Sequence, residues 1–202
     1  MLKIYGIIRH RIKTDGEGIT SLVGLSGCPL NCKYCLNAKV IKQNKCYEKT
    51  EEELLQELIQ DACYFIATNG GVTFGGAEPL LQSQGLVNFA KIKPDWMKMN
   101  IETSLQVPND AVTELLPYIN EWIVDIKTLD PSLYLQYTRK PIAQMLYNLE
   151  FMAKNASDKC KIRIPVIPEF KSQKQAEEEA EIIRNLGFNK IDIFEYIVKE
   201  TL

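Results

Sequence analysis

No apolar run in the sequence approaches the roughly 18 residues that a membrane-spanning helix needs, so no membrane function is expected. Charge of one sign is not in excess: 24 Lys and Arg stand against 26 Asp and Glu, a formal net charge of -2. Nothing in that balance marks a general binder of nucleic acid or of anionic membranes. The opening residues, Met1-Leu2-Lys3-Ile4-Tyr5-Gly6, lack the basic start, continuous apolar stretch and small-residue cleavage site of a secretory leader, and a cytoplasmic protein is expected. Linkers, low-complexity segments and convincing repeats are missing too. Histidine is nearly absent; the single one, His10, is expected on ordinary surface.

What is present is globular. Hydrophobic residues make up 46% and charged residues 25% of the 202 positions, which argues against disorder. At ~150 residues per domain the chain reads as one domain over residues 1–202, long enough to bury a core. Strand-like stretches are expected at 2–8, 19–26, 71–75, 97–104, 122–128, 161–167 and 190–198. Helices are expected at 50–69, 80–92, 108–119, 131–138, 141–155 and 172–186. Thr50 is a candidate N-cap with Glu51–Glu53 in the first turn, and Gly187 stops the last helix. The charged run from Lys171 to Glu181 is expected to be a solvated helix face. A βα unit thus recurs about six times, and its near-continuously apolar strands suit a parallel sheet buried on both faces. The expected fold class is α/β: a single-domain, partial (β/α)6 barrel of parallel strands, open because six units are too few for a standard eight-stranded barrel.

Three of the six cysteines fall within one loop, Cys28-Pro29-Leu30-Asn31-Cys32-Lys33-Tyr34-Cys35. A disulfide scaffold would be shorter, secreted and more evenly stapled. The C-x3-C-x2-C spacing brings three thiolates together and supplies no fourth ligand nearby, whereas zinc and ordinary iron–sulfur sites usually take four. A cube cluster held by three cysteines would leave one iron open to a small molecule; a structural zinc site stays open as the other reading. Cys46, Cys63 and Cys160 are too dispersed for a second cluster, and Cys63 is expected in the core. On 122–128, alternation places Asp125 and Lys127 on one face together, toward the barrel interior, where two charges need partners or a ligand. Glu102 and Arg163 lie in apolar strands and are candidate functional residues, Arg163 against a structural ion pair. Glu78 could equally cap the following helix, and Tyr34 could simply pack.

The ordered set of motifs resembles the radical S-adenosylmethionine (SAM) superfamily, and within it the activating enzymes of glycyl radical enzymes. C-x3-C-x2-C with Tyr34 before its last cysteine resembles the superfamily signature, and Gly75-Gly76-Ala77-Glu78 resembles its strand-end "GGE" segment. Asp15-Gly16-Glu17-Gly18-Ile19, Cys35-Leu36-Asn37, Ile101-Glu102-Thr103-Ser104, Val124-Asp125-Ile126-Lys127 and Arg163-Ile164-Pro165-Val166-Ile167-Pro168 resemble further activating-enzyme segments, in order along nearly the whole chain.

The resemblance implies that Cys28, Cys32 and Cys35 ligate a [4Fe-4S] cluster whose fourth iron binds SAM. One electron, expected from flavodoxin or ferredoxin, would then yield a 5′-deoxyadenosyl radical that abstracts a hydrogen from a protein or peptide substrate, most simply a glycine of a glycyl radical enzyme. The cofactors carry the hard chemistry, and the protein supplies orientation and a dry pocket. The "GGE" segment (Gly75, Gly76, Ala77, Glu78) and Glu102 would lie near the SAM amino group, Lys127 at its carboxylate, Asp125 near the ribose, and Tyr34 and Asn37 near the adenine. Arg163 would face the same mouth. The sequence departs from the pattern at Ala77, where the family has its second glycine, at Thr20, where it has Arg, and after the last strand, where its His is missing. The stretch after that strand is short, which is expected to leave the rim open to a macromolecular substrate. Two other functions are carried: maturation of a ribosomally made peptide by cross-linking or epimerisation, and a non-catalytic zinc-binding interaction module.

Overall fold

In the computed structural model, which describes residues 1–43 and 45–198, one eight-stranded sheet organises the chain. Its strands are β1 (Leu2–Ile12), β2 (Ile19–Leu25), β3 (Tyr47–Lys49), β4 (Gly71–Gly75), β5 (Lys98–Thr103), β6 (Glu121–Asp125), β7 (Cys160–Val166) and β8 (Lys190–Glu195). The order is β3-β1-β2-β4-β5-β6-β7-β8. From β2 to β8 every pairing is parallel, giving the six expected parallel strands in sequence order. The helices are α1 (Ala38–Gln43), α2 (Glu51–Ile59), α3 (Ala62–Thr68), α4 (Ser83–Ile92), α5 (Asn109–Leu115), α6 (Pro131–Thr138), α7 (Ala143–Asn155) and α8 (Gln173–Asn185).

Several local expectations need correction, the simplest being Cys63, which is exposed on α3 rather than in the core. The first strand runs on to Ile12 and pairs antiparallel with β2, because the link between them is too short for a crossover. The short β3 adds a second antiparallel edge, against Leu2–Ile4; neither it nor α1 was anticipated. The helix expected over 50–69 is two helices, broken at Gln60 and Asp61. The Asp61 carboxylate is drawn to the hairpin, accepting from Arg9 at 2.6 Å and from Ser21 at 2.9 Å, with the His10 ring nitrogen at 3.2 Å. Start signals were legible: Thr50 caps α2 with a reciprocal Glu53 contact, and Ser172 and Gln175 do the same for α8.

Strand alternation sorts the side chains. Outward residues pack under the helices, as Phe74 of β4 does edge-on against Phe89 of α4 at 5.2 Å. Inward residues from separate strands meet each other: Arg163 of β7 reaches Glu102 of β5 at 2.9 Å. Inward residues of β1 (Tyr5), β2 (Leu22), β5 (Glu102), β6 (Asp125), β7 (Arg163) and β8 (Phe194) line one cavity, so the sheet curls into a partial barrel.

The charged run at 171–181 is not wholly solvated. The Lys171 ammonium is fully buried, 2.8 Å from Glu179, and Glu179 also accepts from Thr128 Oγ1 at 2.6 Å and the Leu129 amide at 2.7 Å. This ties α8 to the loop after β6. Burial draws the Lys171 ammonium below its ordinary value. Removing Glu179 strands that charge, so Glu179→Ala is expected to cost about 3–5 kcal/mol in urea unfolding. A Lys171→Met/Glu179→Leu double variant should recover most of the loss. A single variant within about 0.5 kcal/mol of wild type would contradict the pairing.

Candidate active site

The cysteine loop leaves the C-terminal end of β2, where parallel α/β folds place their ligands. It is pinned by the end of a helix. The last carbonyls of α6 have no intrahelical partners, and two of them accept loop amides: Asn31 N–H to Thr138 at 2.9 Å and Lys33 N–H to Tyr137 at 3.0 Å. From the other side, the Glu78 amide donates to the Gly27 carbonyl at 2.9 Å. Cys28, Cys32 and Cys35 are free, half-buried thiols, and all three line one cavity of about 650 Å³. Burial pushes the Cys28 thiol up to about 12 and raises Cys32 as well. Such thiols are poor ligands until a metal takes the place of their protons.

The opposite wall carries four ionisable side chains. Asp125 and Arg163 are register partners on β6 and β7, with Arg163 Nε 3.2 Å from Asp125 Oδ1. Lys127 Nζ lies 3.1 Å from Asp125 Oδ2, and Arg163 donates to Glu102 at 2.9 Å. Burial works against ionisation of Asp125, yet Lys127 and Arg163 outweigh it and hold the carboxyl below its usual range. Lys127 is likewise held above its ordinary value, with Asp125 and Cys32 overcoming burial. Glu102 goes the other way: burial, with Asp125 and Asp15 nearby, raises it to about 8 despite its bond to Arg163. Asp125 Oδ1 is buried behind the wall surface, and its contact is the Arg163 ion pair rather than a well-aligned hydrogen bond.

The structure gathers most of the residues singled out in the sequence. Cys28, Cys32, Cys35, Asn37, Gly76, Ala77, Glu102, Asp125, Lys127 and Arg163 all line the cavity. Tyr34, Gly75 and Glu78 are not on its wall. The Tyr34 hydroxyl donates to Glu169 at 2.7 Å, and its ring packs edge-on against Phe170. Gly75 sits behind Glu102, whose carboxylate lies where a side chain at that position would begin. Glu78 is buried, accepting from Thr103 Oγ1 at 2.7 Å, from the Ser104 amide and hydroxyl at 2.9 and 2.7 Å, and weakly from the Leu80 amide. It joins the β4 end to the β5 end and caps the 3₁₀ turn that follows. Ala77 is free of backbone strain, because the left-handed φ of 83° falls on Gly76. At Gly76 a Cβ would collide with the Tyr5 hydroxyl, so that position is closed to other residues. Sequence reasoning missed Tyr5, Arg11, Asp15, Tyr137, Phe194 and Tyr196 as wall residues. Alternation along β1 and β8 could have found Tyr5 and Phe194.

A raised carboxyl makes a pH signature. The folded chain holds a proton on Glu102 that the unfolded chain has released, so stability falls as pH rises between about 5 and about 8. Glu102→Gln removes that one-proton slope, measurable as urea midpoints of the cluster-free chain across this range. An unchanged slope in the variant would contradict the assignment.

Comparison with known proteins agrees with this geometry. Residues 22–180 match the family model described as the radical SAM superfamily. The (2S)-3-sulfopropanediol dehydratase activating enzyme of Klebsiella oxytoca is 35% identical, over 82% of this chain and 71% of that protein. The pyruvate formate-lyase-activating enzyme of Clostridium pasteurianum is 30% identical over 90% and 77%, and that of Staphylococcus epidermidis 34% over 65% and 56%. Among solved structures, Streptococcus suis SuiB bound to S-adenosylmethionine shares the fold, with a TM-score of 0.66 at 18% identity over 87% of this chain and 41% of that one. The described residues contain no helix long and apolar enough to cross a membrane. A family match across most of the chain, on a fold whose strand ends carry three thiols opposite a charged wall, shows that this chain belongs to the radical SAM superfamily of enzymes, which work with a [4Fe-4S] cluster and S-adenosylmethionine.

Proposed function

We propose that the chain abstracts a hydrogen atom from a polypeptide, most simply the Cα hydrogen of a glycine in a glycyl radical enzyme. The observation that carries this reading is one cavity shared by three free thiols of a single loop and the Asp125–Lys127–Arg163–Glu102 wall. The donor set fits an iron–sulfur cluster, being three cysteines with no fourth protein ligand beside them. When bound, the cluster and SAM supply reductive cleavage of the sulfonium and a radical able to take a hydrogen atom.

The chain's own residues bind and orient. Cys28, Cys32 and Cys35 hold the cluster. The Lys127 ammonium pairs with the SAM carboxylate, and Asp125 lies near the ribose. The backbone at Gly76 and Ala77 faces the amino group, with Glu102 beside it. Asn37 donates to the Gly76 carbonyl at 2.5 Å, which fixes the adenine-side loop against the amino-side loop. Arg163 contacts both Glu102 and Asp125 and holds them in place. Tyr34, Gly75 and Glu78 act from behind the wall as positioning residues. The relatives named as activating enzymes support a polypeptide substrate. Flavodoxin or ferredoxin is the electron donor in this reading, and the protein works in the cytoplasm.

Two measurements test it. Lys127→Ala should weaken SAM binding to the cluster-loaded chain at least tenfold by calorimetry, since a charge-assisted contact contributes ~1.5–3 kcal/mol; equal affinity would overturn the carboxylate assignment. A peptide carrying the radical-site glycine, deuterated at Cα, should transfer deuterium into 5′-deoxyadenosine. Failure with that peptide, together with cross-linking or epimerisation of a small precursor peptide, would favour the maturase reading instead.

A further inference from the structure

β1 is longer than either strand beside it, and one of its edges is covered only in part. β3 pairs with Leu2–Ile4. Beyond Ile4, β2 is the only strand that pairs with β1 among the described residues. No described backbone group outside β2 bonds to the main chain of Tyr5–Ile12. In an antiparallel pair the amides and carbonyls of a strand alternate between its two edges, so a row of donors and acceptors lies open on this side. Irregularities in the pairing fall between Ile4 and Gly6 and again between Ile8 and Arg11. They bracket a short regular run in which Gly6 faces Gly24, Ile7 faces Val23 and Ile8 faces Leu22.

The cavity reaches round that edge. On β2, which is flanked on both sides, only alternate residues line it: Leu22 and Gly24 do, and Val23 between them is buried in the core. On β1, Gly6, Ile7 and Ile8 line it in succession. Ile7 shares a face with its partner Val23 and packs against the core, so it meets the cavity where the opening passes round the strand edge. Ile8 and Leu36, both on the cavity wall, are still 55% and 54% exposed, which marks this part of the wall as a mouth. Ile41 of α1 lines the same cavity, and α1 buries none of its residues.

We propose that an extended segment of the polypeptide substrate pairs with the open edge of β1 at Gly6–Ile8 and enters the cavity as an added strand. This deepens the polypeptide reading given above and rests on it. Backbone pairing supplies affinity with little demand on sequence. Alternation supplies orientation, because every second residue of an added strand points its side chain to the cavity face. A glycine at such a position carries a Cα hydrogen where other residues carry a side chain, so that hydrogen faces the interior. Bulges end strand pairing, so the two irregularities confine the contact to a few residues. A contact that short suits a substrate that must leave again, and it is too short for a lasting sheet between two copies of the chain.

The test uses the cluster-loaded chain with SAM, and a peptide centred on the radical-site glycine of a pyruvate formate-lyase. The peptide is made as a series, each member N-methylated at one backbone amide other than that of the glycine. Every change lies in the peptide, so the fold of the chain is untouched. Affinity by fluorescence anisotropy should fall at least fivefold at every second position over about four residues, and stay within twofold at the positions between. Bound peptide should also slow hydrogen exchange of backbone amides within Tyr5–Ile8 at least tenfold. An N-methyl profile without alternation, or unchanged exchange along β1 in the bound state, would overturn strand addition. So would slow exchange there without peptide in a chain that sediments as a dimer, because a second copy would then be the occupant. A chain that binds SAM but no such peptide would instead overturn the polypeptide reading on which the proposal rests.

Discussion

Four ionisable side chains, Glu102, Asp125, Lys127 and Arg163, converge on one wall at the ends of neighbouring strands, and the architecture follows from keeping them there. Charges inside a barrel must be paired, hydrated or matched to a ligand. Here the pairing is shared rather than one to one. Arg163 serves two carboxylates, Lys127 serves Asp125, and one Asp125 oxygen meets Arg163 as an ion pair rather than a well-aligned hydrogen bond. Burying such a wall against apolar side chains would be costly. It is tolerable because it faces a cavity, and that cavity persists because the sheet is open rather than closed on itself.

The wall has chemical use only if the thiols stand opposite it, and a second set of contacts secures that. The α6 carbonyls hold the cysteine loop from one side and the Glu78 amide holds it from the other. The Glu78 carboxylate then fastens the β4 end to the β5 end, so the loop, the Gly76 turn and the Glu102 strand form one connected unit. Glu78 belongs to the motif that resembles a ligand segment, yet its oxygens are spent on protein donors. The motif thus marks a scaffold for backbone groups as much as a set of contacting side chains.

Much of this was legible in the sequence because local signals and the global fold agree. Parallel strands with apolar outer faces and the two capping boxes obey short-range rules; Asp125 and Lys127 meet as expected, although β6 ends at Asp125 and Lys127 reaches it from the loop beyond. What the sequence hid depends on contacts far along the chain. Asp61 breaks a helix because Arg9, His10 and Ser21 reach it from the hairpin. Lys171 and Glu179 look like part of a solvated run, and only the approach of the loop after β6 buries them. Tyr34 sits between Cys32 and Cys35 but turns outward because Phe170 and Glu169 offer it partners there. Tyr5 enters the cavity through a bare approach over Gly24 and Gly76 that neither glycine announces by itself.

The most direct test of the whole account is SAM cleavage without any polypeptide substrate. The chain would be reconstituted with iron and sulfide in the absence of oxygen, reduced, and given SAM, beside a Cys32→Ala variant treated identically. The account predicts about four irons per chain and 5′-deoxyadenosine in wild type, with neither a full cluster nor product above background in the variant. Zinc in place of a cluster, or equal product from both proteins, would contradict it.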